Sequence, residues 1–77
     1  MIRKKVRPTR QFFAMDQNDN HYKIIEYTTF QEANDNNWIP VNAKGYRLID
    51  GTPVSRLSET EFEVVLYGRN TKLRILP

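Results

Sequence analysis

Apolar and polar residues alternate with a period of two through YRLIDGTPVSRLSETEFEVVLYGRNTKLRIL, residues 46 to 76. Tyr46 and Leu48 alternate with Arg47 and Ile49. Phe62, Val64 and Leu66 alternate with Glu61, Glu63, Val65 and Tyr67, and Leu73 and Ile75 with Lys72, Arg74 and Leu76. This period gives each segment one apolar face and one mostly polar face, the signature of half-buried strands. Asp50-Gly51, Ser58 to Thr60 and Gly68 to Asn70 are turn formers between the segments. Short segments joined by such turns predict an antiparallel meander. DGTPVSR, residues 50 to 56, then reads as a corner between two strands rather than a binding loop.

The N-terminal half is less regular. RQFFAMD (10 to 16) and HYKIIEYTTF (21 to 30) are rich in aromatic and β-branched residues and read as strands. QNDN (17 to 20) makes them a hairpin. Residues 31 to 45 show no period. A helical turn is expected near residues 29 to 34, and WIPV after it as an extended anchor with Trp38 over one end of the sheet.

The expected fold is therefore all-β, or β-rich α+β. It is a small antiparallel meander rolled into a partly open barrel or a compact sandwich. The inward set is Phe13, Met15, Ile24, Tyr46, Leu48, Val54, Leu57, Phe62, Val64, Leu66, Leu73 and Ile75. Both parities of the first two strands contain apolar residues, so their register is open.

Length confines the chain to one domain, and 77 residues without Cys leave no disulfide or thiolate metal site to staple it. No apolar run approaches the roughly 20 residues that span a bilayer. A cytoplasmic protein with no membrane association is the expectation. Charge changes the picture more. Residues 1 to 10 carry Arg3, Lys4, Lys5, Arg7 and Arg10 with no acid, while the rest of the chain holds seven basic and nine acidic side chains. The net +3 is thus a basic arm on a mildly acidic body. Residues 1 to 9 read as a tail and 10 to 77 as the folded domain.

Catalytic groupings are poor. The single His, His21, stands beside a turn, with no thiol to serve as nucleophile. Glu61 and Glu63 share a solvent face where cross-strand pairing with Arg47, Arg56, Lys72 or Arg74 is the simpler use. DQNDNH (16 to 21) begins like a calcium-binding loop but has His21 where Gly is needed and Tyr27 where a bidentate Glu is needed. The three glycines are isolated, so no phosphate loop exists and no cofactor is expected. The chain is not expected to be an enzyme.

Tyr46, Leu48, Asp50, Gly51, Pro53, Val54, Phe62, Glu63, Val64 and Val65 follow a pattern Y-x-L-x-D-G-x-P-V, then F-E-[IV]-V. This run resembles the C-terminal half of small uncharacterised bacterial β-rich proteins. The resemblance implies a bacterial β-protein and brings no activity with it.

Two binding roles remain. Val65, Tyr67 and Leu76 are apolar residues on the polar faces and suit a protein interface, either a partner or a second copy. A non-enzymatic protein-association module is the first expectation. The alternative is a nucleic-acid-binding small barrel. It would place Arg3, Lys4, Lys5, Arg7 and Arg10 on phosphates and Phe12, Tyr22 or Tyr27 on bases.

Overall fold

The structure, a computed structural model, describes residues 2–76 and, within that span, every side chain except those at positions 35 and 42. The strands are β1 Lys4–Met15, β2 His21–Glu32, β3 Trp38–Leu48, β4 Pro53–Arg56, β5 Glu61–Leu66 and β6 Arg69–Ile75. Neighbours in sequence are neighbours in the sheet, all antiparallel, and the six strands close into a barrel. The all-β antiparallel meander expected from the sequence is the observed fold, and its sheet is fully closed.

Closure is brief. Only Ala14↔Ile75 and Met15↔Arg74 pair β1 with β6, and the Leu76 N–H donates to the Phe13 carbonyl at 2.8 Å. The core is Phe12, Ala14, Ile24, Leu48, Val54, Phe62, Val64 and Leu73, with Tyr22, Tyr46, Leu66 and Ile75 packed against it. Phe12, Tyr46 and Phe62 meet as tilted and edge-on rings, with centroids 5.3 to 6.4 Å apart.

β1, β2 and β3 outrun this barrel. β3 pairs with β4 only at Tyr46 and Arg47. Lys4–Pro8, Tyr27–Glu32 and Trp38–Lys44 therefore form a three-stranded arm. The molecule is accordingly elongated, 50 × 27 × 19 Å. The arm explains its two prolines. A Pro cannot donate to a ladder and is confined to sheet edges, and Pro8 and Pro40 both lie where their strand has a partner on one side only. β2 and β3 are joined through a single 3₁₀ turn, Asn34–Asn36.

Several expectations need correction. β1 begins at Lys4, so most of the presumed tail is paired strand. No helical turn forms over 29 to 34. Phe30, Gln31 and Glu32 pair instead with Pro40, Ile39 and Trp38. The register of β1 is the opposite parity, with Phe12 and Ala14 inside and Phe13 54% exposed. The hairpin fixes this, because Met15↔His21 places Phe12 beside the fully buried Ile24. Met15 is accordingly only half-buried. Leu57 leaves the core because it sits in the bend after β4, its N–H donating to the Glu61 carbonyl. The last turn is Tyr67-Gly68, one step earlier than expected, with Arg69 already in β6.

DGTPVSR is indeed a corner. The Gly51 N–H donates to the Leu48 carbonyl and the Leu48 N–H to the Thr52 carbonyl, both at 2.9 Å. Gly51 takes φ 93°, a conformation only Gly adopts freely.

Candidate nucleic-acid interface

Residues opposite each other in an antiparallel pair point to the same face, and alternate residues along a strand share it. The register therefore sorts the arm into two faces. Lys5↔Phe30 and Arg7↔Thr28 set the β1 side, and Phe30↔Pro40, Thr28↔Lys44 and Glu32↔Trp38 set the β3 side. Arg3 joins them by its ion pair with Glu32, 3.3 Å. A bulge between Pro8 and Arg10 inserts Thr9. Both Thr9 and Arg10 then face the same way, Thr9 through hydrogen bonds to Glu26 and Thr28 and Arg10 with its guanidinium 4.7 Å from the Phe12 ring centre.

One face thus gathers Arg3, Lys5, Arg7, Arg10 and Lys44 against two acids, Glu26 and Glu32, among the described side chains. It continues the inner wall of the barrel outward. Its aromatic residues along the arm are Phe30 and Trp38, both half-buried. The Lys5 ammonium lies 4.1 Å and the Arg3 guanidinium 5.8 Å from the Trp38 ring centre.

Glu26 anchors the base of this face. It is buried. It accepts from Thr9 at 3.0 Å and from the Tyr46 hydroxyl at 3.2 Å, and Lys44 stands 3.9 Å away. The Arg56 guanidinium donates to Tyr46 at 3.1 Å. It also donates to the Ser58 and Glu59 carbonyls, and it lies over Phe12, Tyr46 and Phe62, 5.2 to 5.6 Å from their centres. Arg56 therefore caps the barrel mouth. A buried carboxylate is tolerable when its lone pairs are occupied, and no buried side-chain N or O lacks a partner among the described residues.

The expected basic residues are divided by this geometry. Arg3, Lys5, Arg7 and Arg10 come together, whereas Lys4, opposite Gln31, points to the other face. The expected aromatic residues do not join them. Phe12 is in the core and closed to a base. Tyr27, opposite Pro8, lies on the reverse face. Tyr22 is at the far end of the barrel, donating to Asp16 at 3.0 Å. Trp38 and Phe30 stand on the cationic face instead. The signal available for Trp38 was its standing as the single Trp, flanked by Pro40 and displaced from every periodic segment.

The reverse face carries Val6 and Ile39, both more than half exposed. Of the expected protein-interface residues, Val65 is 59% exposed and Tyr67 fully exposed. Leu76 is half-buried beside the β1–β6 closure.

Asp16 organises the β1–β2 loop. Burial pushes its carboxyl up, but the N–H and side-chain amide of Asn20, the Tyr22 hydroxyl and the Asn18 N–H together hold it below the usual carboxylate value. Asp16 spends its carboxylate oxygens on its own hairpin. No group of three or more His, Cys, Asp or Glu that could hold a metal occurs among the described residues. An open depression of about 300 Å³ lies between Asp16, Glu61, Lys72 and Arg74.

The fold and this face define a small closed β-barrel with a cationic arm. Comparison with family models, with curated proteins and with solved structures finds no match.

Proposed function

We propose that the protein binds nucleic acid through the cationic face of its arm, without catalysis. The observation that carries this reading is the convergence of Arg3, Lys5, Arg7, Arg10 and Lys44 on one open face beside Trp38. Isolated basic residues on a mobile tail attract phosphates weakly. Cations held in register by a sheet meet a polyanion together and release its counterions together. Among the described residues only Arg3 and Lys44 form ion pairs with a carboxylate, which leaves Lys5, Arg7 and Arg10 without one.

The test is fluorescence anisotropy with generic oligonucleotides over a salt series. If four or five of these cations meet phosphates, log K should fall with log salt with a slope of roughly −3 for a single strand. Replacing Arg7 and Arg10 together with Gln should reduce that slope by about 1.4. Undetectable binding at low salt, or binding indifferent to salt, removes the reading.

Association with a protein is the second reading. It is favoured by Val65 and by Tyr67, an exposed aromatic residue held at φ 52°. Light scattering with and without Tyr67→Ser separates it. A mass above that of one chain that falls on substitution would support it.

A further inference from the structure

Resting on the nucleic-acid reading, we infer that the arm takes a single strand rather than a duplex, with one base stacking on Trp38 after the Lys5 ammonium moves aside. Three features of the arm lead there. First, its width is wrong for a groove. Strands lie 4.7–4.9 Å apart, so the outer two of three are about 10 Å apart at their backbones. Side chains widen the arm beyond the two-stranded ribbon that the roughly 12 Å major groove admits. A duplex could meet this face only through its phosphates.

Second, Trp38 is placed for a ligand and not for the core. It stands opposite Glu32 near the end of the arm, on the cationic face, far along the sheet from the Phe12–Phe62 cluster. The bases of a duplex are stacked on each other and offer Trp38 nothing. Unstacked bases of a single strand offer a π-face, and base–aromatic stacking is the common device for holding them.

Third, the present cap of the ring can leave. Arg3 is tied to Glu32 at 3.3 Å, but Lys5 forms no ion pair among the described residues. Its hold on Trp38 is a partly exposed cation–π contact, weaker than a base stack. Its long, flexible stem lets the ammonium swing from ring to phosphate. Arg7 and Arg10 then continue the cationic track toward the barrel mouth.

The experiment uses the full chain, a short labelled oligothymidine and a duplex of equal length, read by anisotropy and by the emission of Trp38, the only Trp. The expected result is tighter binding of the single strand with quenched Trp38 emission. Trp38→Ala should weaken single-strand binding about tenfold and leave duplex binding nearly unchanged, and Trp38→Phe should recover most of the loss. Circular dichroism of both variants guards against misfolding, and wild-type quenching needs no variant. Equal or tighter duplex binding, unaltered emission, or an unaffected Trp38→Ala variant would overturn the inference while phosphate binding stands. No binding of either oligonucleotide would overturn the underlying reading.

Discussion

The Lys5 ammonium lies 4.1 Å from the centre of the Trp38 ring. These residues belong to β1 and β3, with Phe30 of β2 between them. The contact therefore braces the two outer strands of the arm across the middle one. An exposed cation–π pair contributes about 0.5–1 kcal/mol. Lys5→Ala should lower stability by that amount, read as a lower urea midpoint at unchanged slope. A loss above about 2 kcal/mol would place Trp38 in a packed core, where a base could not reach it.

Deleting residues 1 to 9 should lower the melting temperature clearly. The deletion removes the Lys4–Pro8 pairing with β2 and the Thr9 hydroxyl that serves buried Glu26. Thr9→Val isolates the second effect. It leaves Glu26 short of a donor, which costs about 1–3 kcal/mol. An unchanged melt for both variants would show that the arm is not paired in solution.

Phe62→Ala should cost about 3–5 kcal/mol, because Phe62 is fully buried between Phe12 and Tyr46. Phe13→Ala and Leu57→Ala should each cost less than about 1 kcal/mol, since both side chains are about half exposed. Denaturant midpoints of the three variants check the register of β1 directly. A Phe13→Ala loss as large as that of Phe62→Ala would reverse it.

The C-terminal half of the fold was legible because each strand there has one buried face. Val54, Phe62, Val64 and Leu73 fall on the period-two positions. Even the expected cross-strand pairs appear, with Glu61 opposite Arg74 and Glu63 opposite Lys72. The arm was not legible, for the same reason. Away from the barrel neither face is fully buried, so Trp38, Pro40 and Lys44 share a face without sharing polarity. The Thr9 bulge also restarts the alternation of β1. The basic residues could be found by composition alone. Their grouping with Trp38 depends on the registers of β1 on β2 and of β2 on β3, which bring residues more than thirty positions apart onto one face.

Acid should destabilise the protein in a defined way. The carboxyl of Asp16 is held below its ordinary value by its donors, and that of Asp50 by the Thr52 hydroxyl and N–H. A lowered folded value means that the ionised form favours the fold. The contribution is then present above the ordinary Asp range, about pH 4, and is lost as pH falls through the lower folded value. Asp16→Asn should be less stable near neutrality but lose less on acidification. Tyr22 runs the other way. Burial first, and then its bond to Asp16, raise its hydroxyl. Its contribution is present below the ordinary Tyr value, about pH 10, and lost as pH rises through the folded one. Urea midpoints from acid to alkaline pH check both arms.

Tyr67 occupies the turn between β5 and β6, where Leu66 pairs with Arg69 and only two residues connect the strands. Both take positive φ, 52° at Tyr67 and 76° at Gly68. This is the turn whose twist suits a hairpin, and it favours Asn-Gly or Asp-Gly. A Tyr there crowds its Cβ against the following carbonyl. Its ring is fully exposed and recovers nothing by packing. Tyr67→Asn should therefore raise stability, by about 1 kcal/mol. Gly68→Ala should lower it by a comparable amount, because φ is positive there too. Both effects are readable as shifts of the denaturant midpoint. If Tyr67→Asn stabilises the fold and also abolishes an association seen by light scattering, the unfavourable Tyr serves contact and not folding. If it destabilises the fold, the Tyr67 ring packs in solution against a surface that includes its neighbour Val65.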